Sequence, residues 1–481
     1  MRHHPTSAAL APSRWGAGLT DPLAAARQAL GAAPAWIVGG AVRDRLLARA
    51  TDDLDLAVIG DPARPARELA QVCRGTAFPL SAHHAAWRVT ARGGAWHVDL
   101  MGVESSIEDD LARRDFTINA IAEPLAGGPA IDPHGGQADL EARRLRMVAP
   151  GAFAADPLRV LRAVRLACEL DLSIEPATMQ AAAAYAPDLK RVAPERVFVE
   201  LRQVVAGPRP RQGIELMEAI GATALVLPEI ASLRGVAQSD YHHLDVYDHS
   251  LAVLDEAIAI ERDPEPALGE HAAAVAELLA EPLADQLSRA GALRFGALLH
   301  DAAKPATHAR GPQGRVTFIG HDEAGAALAR AALTRLRTSE RLRAHVSALA
   351  RHHLRLGFLV RERPLSRRAV YRYLHACEPV ATDVTVLSVA DRLATRGRGA
   401  DRAIPAHLEL ARELVGEALR WRRDGPPSAL VRGDELAREL GVAPGPVIGE
   451  LLEALREAQF AGEVTGRADA IAYARTAAER R

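Results

Sequence analysis

Short apolar runs such as "AWIVGG" (Ala35 to Gly40), "LDLAVIG" (Leu54 to Gly60) and "AWHVDLMGV" (Ala95 to Val103) alternate with turn residues from Trp36 to about Val148. That rhythm predicts strands with interleaved helices, an α/β region. Beyond "APGAFAADP" (Ala149 to Pro157) the apolar spacing changes to three and four, as in "LRVLRAVRLACEL" (Leu158 to Leu170) and "ERVFVELRQVV" (Glu195 to Val205). This period predicts helix from there to the end. Two stretches rich in proline and charge interrupt it. "ERDPEPALGEH" (Glu261 to His271) predicts a long loop, and "RRDGPPSAL" (Arg422 to Leu430) an interdomain linker. No internal repeat stands out, and alanine patches such as "QAAAAYA" (Gln180 to Ala186) are helix-forming composition.

A chain of 481 residues exceeds what one core organises, so two to four domains in series are expected. Few aromatics (4%) and about a quarter charged residues (25%), with abundant Ala and Leu, describe a helix-rich globular protein and exclude wholesale disorder. The formal net charge is −2, so a polyanion would have to be held by local arginine clusters and metals. Cys73, Cys168 and Cys377 form no CxxC pair, which suits buried thiols in a reducing compartment. The amino terminus lacks an apolar run of signal-peptide length and no segment approaches a membrane span, so no membrane partner and a cytoplasmic location are expected.

Within this frame one short unit gathers unusual chemistry. Asp53 and Asp55 stand two apart in a predicted strand, so both carboxylates face one side while Leu54, Leu56 and Val58 face the core. Two carboxylates plus substrate phosphates suit Mg²⁺ ions in a phosphoryl-transfer site, and Asp99 on another predicted strand would add a third. A DxD taken alone is as often a solvated strand start. Its neighbours change the odds: Gly39 and Gly40 allow close backbone approach to a phosphate, and Arg43 follows on the next helix as a cationic clamp.

"VGGAVRDRLL" (Val38 to Leu47), "DDLDLAV" (Asp52 to Val58), "EDDLARRDFTINA" (Glu108 to Ala120), "IDPHGG" (Ile131 to Gly136) and "DPLRVLRAVRLA" (Asp156 to Ala167) occur in one order. Together they resemble the bacterial class II CCA-adding enzyme and poly(A) polymerase family of polymerase-β-like nucleotidyltransferases. The resemblance implies an α/β polymerase-β-like nucleotidyltransferase head over 1–148, an all-α neck over 149–232, an HD-type helical body over 233–420 and a helical tail over 421–481. It implies that Asp53 and Asp55 hold the metals, that Gly40, Arg43 and Arg114 contact the nucleotide, and that Asp115 and Asn119 define the ribose pocket. Asp156, Arg159, Arg162 and Arg165 recur every three residues behind Pro157, along one side of a helix. Asp156 and Arg159 would pair with the amino donor and ring-nitrogen acceptor that cytosine and adenine share, with Arg162 and Arg165 toward the triphosphate. The implied reaction is attack of a tRNA 3′-hydroxyl on the α-phosphorus of CTP or ATP with release of pyrophosphate.

Two departures from the family pattern narrow the substrate. "FPLSAHHAAWRV" (Phe78 to Val89) lacks the basic signature of the poly(A) polymerases, which favours a tRNA end over a poly(A) tract. Only "LMGVESSI" (Leu100 to Ile107) separates the strand of Asp99 from "EDDLARRDF", where enzymes adding all three nucleotides carry a longer loop. The shortening resembles CC-adding members, which leave the last adenosine to a separate enzyme; A-adding members with reduced loops, and addition of the full CCA, stay open.

A second constellation lies downstream. "HHLDVYDHSLAVL", "ALLHDAAKPATH", "FIGHDEAGA", "LARHHLRLG" and "SVADRL" supply His249, the His300–Asp301 pair, His321, His352 or His353, and Asp391 on predicted helices. Histidines and aspartates from separate helices can converge on one or two metal ions. Their order is similar to the HD phosphohydrolase superfamily, which implies a divalent transition metal and hydrolysis of phosphomonoesters or 2′,3′-cyclic phosphates. In the tail, Pro444-Gly445-Pro446 would open a helix whose amides could meet an RNA phosphate, or simply cap it. Two rival readings make different demands: an HD hydrolase whose head only binds nucleotide, and a non-catalytic RNA-binding module.

Overall fold

The computed structural model describes residues 21–50, 53–81, 85–239, 241–311 and 315–479, with Asp53 and Ser81 described by their backbone alone. Its contacts draw two compact units. The first runs through Val192 and includes Gly207–Arg209 and Ala219–Ala222; the second takes the remaining residues to the carboxy terminus, so the helices of the expected neck contribute to both.

The first unit is built on a six-stranded sheet in the order β3-β4-β5-β2-β1-β6. The strands are β1 (Ala35–Val38), β2 (Asp53–Ile59), β3 (Thr76–Ser81), β4 (Ala86–Thr90), β5 (His97–Val103) and β6 (Ala122–Pro124). β2 and β5 run parallel, and the other neighbours pair antiparallel. Strand alternation sorts the two faces much as the sequence predicts: Leu56 and Val58 are buried, Leu54 near the strand start is only partly so, and Asp55, facing the other way, is also partly exposed. The helices up to Leu170 are α1 (Pro22–Leu30), α2 (Gly40–Leu46), α3 (Ala63–Val72), α4 (Ile107–Ala112) and α5 (Gly136–Glu141), then α6 (Ala152–Ala155) and α7 (Arg159–Leu170). On the Asp55 face, Val38, Ala57 and Ala122 form a buried cluster with Ile107 and Leu111 of α4. On the opposite face Arg67 of α3 lies over the ring of Trp87 at 5.3 Å. Cys73, Cys168 and Cys377 are buried and unpaired, as expected.

The second unit is helical, with two small hairpins that the helical period did not announce, at Pro282–Ala284 with Leu287–Ser288 and at Ala309–Arg310 with Val316–Thr317. Nor is Glu261 to His271 a long loop. The helix Val246–Arg262 ends inside it and a short helix Glu265–Leu268 follows, because Pro264 and Pro266 sit at a helix start, where a missing N–H costs nothing. The expected linker is shorter than predicted, since the helix Ala400–Asp424 runs on to Gly425, whose φ of 76° closes it. Beyond it Leu436, Leu451, Leu455 and Ile471 gather three tail helices around their own small core. Among the described residues no helix is long and apolar enough to cross a membrane.

Candidate functional site

A left-handed turn opens the first site. Gly39 has φ 70° and caps α2, and a Cβ there would stand 3.1 Å from Arg114 Nη1 and 3.2 Å from Asp55 Oδ2. The bare backbone is therefore what lets the loop, the carboxylate and the guanidinium share one wall. Gly39, Gly40, Arg43, Asp55, Arg114, Asp115, Asn119, Arg159, Arg162 and Arg165 all line a single cavity of about 420 Å³, together with Met101, Asp110 and Arg113. Asp53 lies on the same strand two residues from Asp55, and its side chain is outside the described atoms.

A chain of polar contacts fixes this wall. Arg43 donates to Asn119 Oδ1 (2.8 Å) and to both oxygens of Asp44; Asn119 Nδ2 donates to Asp115 Oδ1 (3.0 Å); Arg162 meets Asp115 Oδ2 at 3.1 Å. Burial pushes the Asp115 carboxyl up, but the Arg162 charge, Asn119 and the Phe116 N–H outweigh it and hold it below the ordinary range. Arg114 is held by Asp110 at 2.9 Å, and its Nη1 donates to the Asn119 carbonyl. Three of the five N–H groups of Arg159 go to the carbonyls of Arg113, Arg114 and Ala152, which sets its plane and leaves two for a ligand. Asp156 stands in the turn before α7, its Oδ1 accepting from the Leu158 N–H. The helix starts at Arg159 and not at Pro157, because the Asp156 side chain and carbonyl form a turn first.

The "IDPHGG" stretch supports this network from behind. Both Asp132 oxygens accept backbone N–H groups, from Gly136 (2.7 Å) and Gln137 (2.9 Å), and Gly135 takes φ 73°. A Cβ on Gly136 would lie 2.7 Å from the Thr117 carbonyl carbon, so only glycine allows α5 against the turn Thr117–Asn119. Fully buried Asp139 of α5 accepts from Thr117 Oγ1 (2.7 Å) and pairs with Arg144 (2.6 Å) and Arg146 (2.8 Å).

Asp99 takes a place in the sheet that its sequence context did not reveal. It lies level with Asp55 across β2 and β5, yet both its oxygens are bound by Arg88 of β4, at 2.7 and 2.8 Å.

The second site forms where five elements meet: the helix Val246–Arg262 (His249), the end of Arg289–Leu299 (His300, Asp301), the start of His321–Arg335, the end of Glu340–His352 (His353) and Ala381–Ala394 (Asp391). Two triplets, His249/His300/Asp301 and Asp301/His321/His353, bring their ligand atoms within 4.8 Å of one another and share Asp301. Asp391 Oδ1 is 3.1 Å from His249 Nε2. The Nδ1 of His300, His321 and His353 meets the carbonyl of Ala297, Phe318 and Ala350 at 2.9, 2.7 and 2.6 Å. A carbonyl only accepts, so each ring carries its proton on Nδ1 and turns a bare Nε2 inward. Nε2 of His300 and His321 and Oδ1 of Asp301 are buried without a hydrogen-bond partner, which is the arrangement a cation would complete.

His352 is not part of this centre. It is partly exposed and accepts from Arg355 Nε at 2.9 Å, because adjacent residues at a helix end point about 100° apart. Two neighbours escaped the sequence reading. Lys304 reaches Asp301 at 2.7 Å from one turn downstream within "HDAAK", and His242, in "HHLDVYDHS", stacks edge-on against His249 at 5.2 Å. A cavity of about 750 Å³ opens onto Asp301, with Arg361, Arg392 and Arg398 on its walls.

Comparison with known proteins gives these two sites a common setting. The Poly A polymerase head domain matches residues 35–146, a probable RNA and SrmB-binding site of polymerase A matches 171–233, and the HD domain matches 246–396. An A-adding tRNA nucleotidyltransferase of Deinococcus radiodurans is 39% identical over 92% of this chain and 96% of its own. A CC-adding tRNA nucleotidyltransferase of Thermus thermophilus is 34% identical over 91% and 92%. Among solved structures, the Thermotoga maritima CCA-adding enzyme complexed with tRNA CCA shares the fold, with a TM-score of 0.59, 20% identity and coverage of 95% of this chain and 94% of that one. Nucleotidyltransferase heads and HD domains are metal-dependent, in keeping, in the HD domain, with the inward-facing histidines gathered around Asp301. By sequence likeness along nearly its whole length, the chain belongs to the tRNA nucleotidyltransferase family.

Proposed function

We propose that the head transfers cytidylate or adenylate from CTP or ATP to a tRNA 3′ end, and that the single observation carrying this is the cavity joining Gly39, Asp55, Arg114 and the Arg43–Asn119–Asp115–Arg162 chain. Asp53 and Asp55 would hold Mg²⁺, which when bound supplies Lewis-acid stabilisation of the charge that builds up on phosphate oxygens. The protein's own groups do the positioning. The Gly39–Gly40 backbone admits the triphosphate, Arg43 and Arg114 face its charge, and Asn119 with Asp115 borders the ribose. The two remaining Arg159 N–H groups and Asp156 face the base edge. Because Asp99 is charge-compensated by Arg88, we give it a supporting role in place of the third metal ligand expected from sequence.

β5 ends at Val103 and α4 begins at Ile107, capped by Ser106, so only three residues join them. A loop able to reset the pocket between C and A has no room there, and we read the protein as a partial adder acting alongside a complementary enzyme, in the cytoplasm with its tRNA. The test offers tRNAs ending at the discriminator base, at C and at CC, with CTP and ATP separately and together. Two C residues and no A would establish CC addition, and A on the CC end alone would establish A addition. Full CCA synthesis would refute the partial reading, and no extension at all would refute transfer.

A second reading has its own observation. The orphaned Nε2 and carboxylate atoms around Asp301, with arginines on the adjoining cavity wall, favour hydrolysis of phosphate esters by a divalent transition metal site. Release of phosphate from a nucleoside 2′-phosphate or opening of a 2′,3′-cyclic phosphate, lost in His300→Ala, is the assay.

A further inference from the structure

The register of the head sheet orders residues beyond the metal-facing aspartate. Phe78 pairs with Arg88, Arg88 with Asp99, Asp99 with Asp55, Asp55 with Val38 and Val38 with Ala122. Directly paired residues face the same side, so this is one row across one face. Its two ends differ. Val38 and Ala122 are buried under Ile107 and Leu111, whereas Phe78, on the edge strand β3, is 43% exposed with Leu80 beside it at 45%.

An exposed aromatic on an edge strand invites strand pairing with other chains, and this one belongs to a chain with only 8 phenylalanines. What lies between it and Asp55 is also telling. Asp99 would repel a polyanion, but its bidentate pair with Arg88 cancels the charge and leaves a neutral floor. The nucleotide cavity lies chiefly on the other side, along Gly39, Arg43, Arg114 and Asn119, and reaches only Met101 on β5. In-line transfer requires the attacking hydroxyl to enter opposite the departing pyrophosphate, which leaves the β4-β3 end of the face for the RNA. At about 4.8 Å per strand, Phe78 stands roughly 14 Å from Asp55 along the row, within reach of the last bases of a strand whose 3′ hydroxyl is at the carboxylates.

We propose that Phe78 is the platform on which one of the last two bases of the RNA acceptor end stacks, positioning the 3′ hydroxyl for transfer. The proposal rests on the nucleotidyl-transfer reading of the head. A stacked base suits this task because every base offers a π face, so the platform tolerates different terminal residues.

The experiment uses the full chain, with whichever truncated tRNA end the wild type extends. Phe78→Ala is expected to raise KM for the RNA about tenfold, leave KM for the nucleotide and the thermal midpoint unchanged, and recover in Phe78→Tyr. RNAs lacking the base at the last or the penultimate position provide the cross-check. One of them should cost the wild type the same factor and make it insensitive to Phe78→Ala. An unchanged KM for RNA, a loss in KM for nucleotide, or an equal further loss on both abasic RNAs would overturn the platform while leaving transfer intact. Absence of extension by the wild type would instead sink the transfer reading, and the platform with it.

Discussion

Gly136→Ala tests whether the "IDPHGG" stretch governs the nucleotide site from behind. The new Cβ would sit 2.7 Å from the Thr117 carbonyl carbon and 2.9 Å from Ile121 Cγ1. Carbon atoms pack best at about 3.5 to 4.0 Å, so α5 and the turn Thr117–Asn119 must separate by roughly 1 Å. Overpacking of this kind costs about 2 kcal/mol, or roughly 4 to 8 °C in the midpoint of a unit this size. The functional effect should be larger. The displaced turn carries Asn119, which bridges Arg43 and Asp115, and a shift of about 1 Å in positioning groups lowers transfer roughly 100-fold. Steady-state extension of a truncated tRNA, with CTP or ATP varied, gives the rate, and differential scanning fluorimetry gives the midpoint. Full transfer activity with a lowered midpoint would refute the coupling of α5 to the site; an unchanged midpoint would refute the packing argument itself.

Gly39→Ala should raise KM for the nucleotide at least about tenfold with under 2 kcal/mol lost in stability, since φ of 70° strains alanine and its Cβ crowds Arg114 and Asp55; titration of CTP or ATP measures it. Asp115→Asn should weaken nucleotide binding about tenfold by removing the charge that holds Arg162 against the pocket wall. In the wild type the Asp115 pKa is depressed on folding, so its stabilisation is complete above the unfolded value near about 4 and is lost as pH falls through the folded one. The midpoint gap between wild type and Asp115→Asn should therefore hold from pH 8 to 5 and shrink below about pH 4, and a gap widening in acid would contradict the assignment. At the helical centre, His353→Gln should cut phosphohydrolase activity at least about 100-fold and His352→Gln should not, with tRNA extension unaffected in both. Removing divalent metal with a chelator should stop both activities, and readdition of Mg²⁺ alone should restore transfer.

Much of this protein is written in its local pattern. The switch from strand runs to three- and four-residue spacing near Ala149 follows from the fixed periods of strand and helix, and it separates the α/β head from the helices that follow. Gly39, Gly40, Arg43 and Asp55 were legible because they lie within one turn-helix-strand unit, where sequence distance and spatial distance agree. So was the order of the histidines and aspartates proposed to hold metal in the HD domain, though not their number: the choice between His352 and His353 turned on which ring faced inward, and that depends on the end of a helix packed against three others. The tertiary structure alone decided the rest. Arg88 and Asp99 are 11 residues apart, but that their side chains meet, and that the row they form runs from Asp55 to Phe78, is a matter of strand order and register. Gly136 reads as an ordinary turn residue until α5 is laid against Thr117. The buried charge of Asp115 is tolerable only because Arg162, 47 residues on, is brought to it, and that of Asp301 because His249, His321 and His353 of other helices gather around it, and no one-dimensional pattern records which segment will arrive.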